Sequence, residues 1–205
     1  TGFDLVTIMY TAEGTQVWQA RYSTGVNSNY QALLPMLAID DAGNVIVAGN
    51  SWGEDNSFDL VTVKYNSRGR QLWDKRYNHI RASDEIFVDL AVDLEGNIIV
   101  VGKCWHQDGS QGVTVKYDSM GSRQWVSPYP EAENADGSIV DMAVDASGNV
   151  IVTGHDDHLN IESACRTIKY NANGRPIWDI KYESVASSWY DINALVVDSK
   201  DHIIL

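Results

Sequence analysis

Two cysteines in 205 residues are too few to staple a fold together. Cys104 and Cys165 lack CxxC spacing, so they do not read as a redox or zinc motif. No apolar run approaches the ~18 residues that a membrane-spanning helix needs, which excludes membrane insertion by such a helix. Basic residues are scarce, 15 Lys and Arg against 28 Asp and Glu, for a net charge of −13. Nucleic-acid binding draws its affinity from cations that neutralise phosphates, so this balance argues against it and against anionic membrane surfaces. It suits solubility, or a surface that takes a cationic ligand. No stretch of useful length repeats with the 3.6-residue period of an amphipathic helix. Gly-x-Ser-x-Gly elbows, phosphate loops and Cys-His arrangements are all missing, and no catalytic residue is assigned.

What is present is repetition. A Gly-Asn turn between two apolar runs recurs at Gly43-Asn44, Gly96-Asn97 and Gly148-Asn149, with a degraded copy at Asp201-His202. A second signature runs Tyr, Gly, Trp, Tyr at offsets of four: Tyr10/Gly14/Trp18/Tyr22, Tyr65/Gly69/Trp73/Tyr77, Tyr117/Gly121/Trp125/Tyr129 and Tyr170/Gly174/Trp178/Tyr182. The tryptophans are 55, 52 and 53 residues apart, and a fixed period of that length marks a repeat architecture.

One repeat, residues 30 to 82, reads as four strands. The runs 36–40 and 45–49 are apolar and flank a tight turn. Residues 60–65 alternate with period two, and 71–77 form a more polar strand with aromatics on one face. Four-stranded units at this period are propeller blades, with the first two strands expected inside, packed on both faces, and the fourth outside as a half-exposed edge. The recurring Trp and Tyr then read as wedges between neighbouring sheets, since each buries a large area, on the order of 150–250 Å². The expected fold is all-β, a β-propeller of four blade equivalents in one domain. It comprises a half-blade at 1–29, blades at 30–84, 85–137 and 138–190, and a complementary half-blade at 191–205.

The pattern Asp-x-x-Gly-Asn-Val-Ile-Val-x-Gly, followed by Phe-Asp-Leu-Val-Thr-Val-Lys-Tyr-Asn-x-x-Gly-x-x-x-Trp, resembles the bacterial SBBP beta-propeller repeat family over essentially the whole chain. The resemblance implies a secreted or cell-surface scaffold module of bacterial origin and brings no catalytic residues or cofactor with it. The chain has fewer repeats than the larger rings usual in that family, and Asp201-His202 replaces its last Gly-Asn.

The repeat phase opens with strands three and four of a blade and closes with strands one and two. The beginning, without Met or a signal pattern, reads as a mature, processed or excised piece. The two halves are expected to pair within one chain, to pair with another copy, or to continue into neighbouring repeats of a longer protein, because unpaired strand edges are a liability.

Candidate binding residues fall on the loops that differ between repeats. Loop 50–57 carries Trp52, Glu54 and Asp55, and loop 103–111 carries Trp105, His106 and Asp108. Loop 155–164 carries His155, Asp156 and His158, and Trp189 lies in a loop joining blades. Aromatics beside carboxylates suit carbohydrate or peptide: a flat face for stacking and acceptors for hydroxyls or cations. The plainer alternative is a set of solvated loops. His155 and His158 could share a metal only on a helical turn with further ligands, none evident nearby, so no metal is assigned. The Asp-x-x-Gly-Asn turns lack the alternating ligands of a calcium loop and read as turn chemistry. The leading expectation is a non-catalytic scaffold or binding module that self-associates through its half-blades. A polysaccharide-active hydrolase or lyase using carboxylates of the loop-rich face is the alternative. Cys104 and Cys165 read as packed thiols, with a bridge across adjacent blades as the alternative.

Overall fold

The computed structural model describes residues 4–23, 35–53, 57–79, 83–106, 109–129, 135–158, 163–183 and 192–205. All regular structure among them is β. Three sheets have four antiparallel strands in simple sequence order. The first comprises β3 (Met36–Ile39), β4 (Val45–Trp52), β5 (Phe58–Tyr65) and β6 (Gln71–Tyr77). The second comprises β7 (Asp84–Val92), β8 (Ile98–His106), β9 (Gly109–Tyr117) and β10 (Arg123–Pro128). The third comprises β11 (Ala135–Val144), β12 (Val150–His158), β13 (Ser163–Tyr170) and β14 (Pro176–Glu183). Two-stranded sheets form from β1 (Leu5–Tyr10) with β2 (Gln16–Tyr22), and from β15 (Val196–Val197) with β16 (Ile203–Ile204). These are the repeated meanders of propeller blades, three whole and two half. The chain divides into two compact units, Thr1–Phe87 and Val88–Leu205, with the division inside β7.

The turns explain why the strands reverse where they do. In the first whole sheet, Asp40 Oδ1 accepts the Ala42 and Asn44 amides at 3.0 and 2.9 Å, and Asn44 Nδ2 donates to Oδ2 at 2.8 Å. Lys64 reaches the same carboxylate from β5 at 2.8 Å. The pattern recurs as Asp93 with Lys116 and as Asp145 with Lys169, at 2.8 and 2.7 Å. These aspartates are bound to their own turns and a lysine, as turn chemistry requires. At the degraded copy Asp201 takes the left-handed conformation, φ 61°, that glycine takes in the others.

Each unit buries its core between two sheets. In the first, Leu5 of β1 packs with Val47, Val61, Val63 and Tyr65. In the second, Ile99, Val101 and Tyr129 pack with Ile139, Met142, Val152 and Tyr170. The second and third strands of each blade are the buried ones. The first strand departs from expectation in the first blade, where Met36, Leu37 and Ile39 on β3 are exposed. Cys104 and Cys165 are both buried.

Candidate functional site

Several of the variable loops are shorter than the sequence suggests, because the strands run on. Trp52 ends β4, Trp105 and His106 end β8, and His155, Asp156 and His158 lie within β12. That last segment is extended, so the helical turn that would bring His155 and His158 onto one metal does not form. Glu54, Asp55, Asp108 and Trp189 lie outside the described residues.

In the first unit, Trp52 packs edge-on against Phe58 across the hairpin, with ring centroids 5.0 Å apart. Gly53 closes the turn by donating to the Ser57 carbonyl at 2.7 Å. A polar assembly lies at the same end of the sheet. Asp59 accepts Arg76 at 2.5 Å and Asn78 at 2.8 Å, and Arg76 also donates to the Ser51 carbonyl and hydroxyl at 3.2 and 3.1 Å. The fully buried Glu85 accepts the Ser83 hydroxyl at 2.6 Å and the His79 amide at 3.2 Å through Oε1. Asn50 donates to the Glu85 carbonyl and accepts the Phe87 amide at 2.9 Å. Sequence reasoning missed Asp59 and Glu85, since a charged residue in a strand reads as surface. Arg76 and Asn78 hold Asp59, and Ser83 and His79 hold Glu85 Oε1, which makes a support for the strand ends.

In the second unit, Trp105 is 47% exposed and Lys103 Nζ stands over its ring at 4.3 Å. A half-buried His155 lies opposite Cys165 and Ser138 in the ladder. The unit also holds a carboxyl pair that the sequence reading did not single out. Asp89 on β7 hydrogen-bonds to Asp141 on β11. Burial pushes the Asp89 carboxyl up to about 6, with the charge of Asp141 adding and the Leu90 amide opposing. Asp141 accepts the Met142 amide at 2.8 Å and the Leu195 amide at 2.5 Å, so it ties β11 to the segment entering β15. Met36 and Ala194 occupy the same repeat position elsewhere. An acid in an otherwise apolar strand, in two repeats of four, was the available signal. Among the described residues, no three potential metal ligands cluster.

No family model matches the chain, and no curated protein matches it. Among solved structures, the chain is similar to the β-propeller domain of Nup133 from Vanderwaltozyma polyspora, at 8% identity and a TM-score of 0.46. The match covers 94% of this chain and 60% of that one. The assignment to propeller-type blades comes from the chain's own sheets.

Proposed function

We propose that this chain is a non-catalytic scaffold and binding module of SBBP-type propeller repeats, secreted or surface-exposed on a bacterium. Its ligand is carbohydrate or peptide, held in the second unit at the strand end that carries Trp105. Its half-sheets, within 1–29 and 191–205, associate with another copy. The observation that carries the reading is how the repeat residues are used. Asp, Asn and Lys are committed to turns, and Trp18 and Trp125 to packing between sheets. Variation is left to the strand ends, where Trp105 is 47% exposed with a cation over its ring. Variable groups on a rigid frame are the usual place for recognition. The carboxyl pair Asp89 and Asp141 is the feature that favours a hydrolase instead, although backbone amides already occupy several of its lone pairs.

A glycan and peptide array, read beside a polysaccharide hydrolase and lyase screen, separates the two. Binding without turnover, weakened at least ~10-fold by Trp105→Ala, is expected. Turnover that disappears in Asp89→Asn or Asp141→Asn would overturn the reading.

A further inference from the structure

Within each unit one contact between sheets is built the same way. In the first, Trp18 on β2 donates its indole N–H to the Ser67 carbonyl at 3.1 Å and lies 6.3 Å from Tyr65, centroid to centroid. It sits against Gly69, where a Cβ would come within 2.7 Å of the ring. In the second, Trp125 on β10 donates to the Ala172 carbonyl at 2.9 Å and lies 6.1 Å from Tyr170. A Cβ on Gly174 would again come within 2.7 Å. The two tilts agree, 38° and 37°. The element is a plug and a seat: a fourth-strand Trp enters the hairpin turn of the next sheet, into space that exists because the turn residue is glycine.

The β1–β2 turn carries the same seat. Tyr10, Ala12 and Gly14 stand where Tyr65, Ser67 and Gly69 stand in their repeat. This seat is empty: a Cβ on Gly14 would meet nothing within 4 Å. Tyr10 is 55% exposed, whereas Tyr65 and Tyr170 are 2% and 1% exposed. On β14, Trp178 stands where Trp125 does in its repeat. Ile180, two residues on and on the same face, is 58% exposed.

We propose that the β14 face of one copy docks on the β1–β2 half-sheet of a second copy, with Trp178 seated on Gly14 and its indole N–H donating to the Ala12 carbonyl. The proposal rests on the self-association reading above and supplies its contact. A second feature has the same polarity. Asp40, Asp93 and Asp145 each meet a lysine, but the equivalent position on β1 is Met9. Asp198, in the β15–β16 turn, meets His202 instead, at 2.9 Å, where the other turns have Asn. A hairpin whose Asp198 already has its own partner, His202, is matched to a completing strand that offers no lysine. The docking that fills the seat therefore sets β16 of the first copy beside β1 of the second. The contact is heterologous, so it generates a closed ring or a filament.

Sedimentation equilibrium of the chain tests this, using Trp178→Ala, Gly14→Ala and a control, Gly43→Ala. Gly43 has a similar positive φ but its Cβ would meet only Ser67 Cβ, at 3.9 Å, so it carries equal backbone strain without a seat. The expected result is concentration-dependent association of the parent, weakened about tenfold or more by the first two changes and untouched by the control. If the parent associates and Gly14→Ala behaves like Gly43→Ala, the seat is wrong while self-association stands. A parent that is monomeric at every concentration removes both.

Discussion

Lys116 and Asp93 form an ion pair at 2.8 Å whose side chains are only 3% and 2% exposed. The aspartate is doubly employed, because Oδ1 also accepts the Glu95 and Asn97 amides at 3.0 and 2.8 Å and Oδ2 accepts Asn97 Nδ2 at 2.9 Å. The two single substitutions should therefore cost different amounts. Asp93→Asn leaves an ammonium buried opposite a neutral group, and breaking a buried pair in this way costs about 3–5 kcal/mol. Lys116→Met leaves a carboxylate that keeps three amide donors, so about 1–3 kcal/mol is expected. The chain itself places Met9 at the equivalent position. The double substitution should cost less than the sum of the singles by more than ~0.5 kcal/mol, the coupling of a contacting pair. Urea unfolding at neutral pH, followed by tryptophan fluorescence, measures all four proteins. The acid limb gives a second reading. Burial pushes the Asp93 carboxyl up, but its hydrogen bonds from Lys116 and Asn97 outweigh that and hold it below the ordinary value. Its stabilisation is therefore complete above about pH 4 and lost as pH falls through the lowered pKa. Additive single substitutions, or an Asp93→Asn cost under ~1 kcal/mol, would refute the assignment.

The Asp89 carboxyl has the opposite sign. Its folded pKa, about 6, lies above the ordinary value, so the folded state holds the proton more tightly. Stability of the second unit should rise by about 1–3 kcal/mol as pH falls from ~7 to ~4, and Asp89→Asn should flatten that slope in thermal unfolding. Gly174→Ala should destabilise by about 2 kcal/mol or more, through left-handed strain and displacement of Trp125, while Gly148→Ala should show the strain alone, about 1 kcal/mol. The difference in urea midpoints measures the seat. Tyr129→Phe removes the hydroxyl that donates to the Arg166 carbonyl at 2.7 Å, and should cost about 1 kcal/mol in the same assay.

The strand pattern was legible because turn chemistry is local. An Asp three residues before Gly caps its own backbone whatever surrounds it, so each hairpin announces itself in four residues. The period of the tryptophans revealed the blades for a related reason: an identical contact between sheets demands identical residues. The carboxyl pair was hidden, since Asp89 and Asp141 lie 52 residues apart and meet only when β7 and β11 pack. The support around Asp59 was equally hidden, because its partners Arg76 and Asn78 lie 17 and 19 residues away and reach it only when β5 and β6 pair. The loops are shorter than their composition suggests, since polar residues at a strand end still pair through their backbone.

By itself the sequence determined the meander, its turns and the register of its repeats, because these rest on backbone conformation and on contacts within one hairpin. Only the tertiary structure decided which turns are filled and which are open. Gly14 and Gly69 look the same in sequence, yet the Trp18 ring fills the space at Gly69 while a Cβ on Gly14 would meet nothing within 4 Å. Burial depends on the neighbour that a sheet meets, which no single repeat encodes.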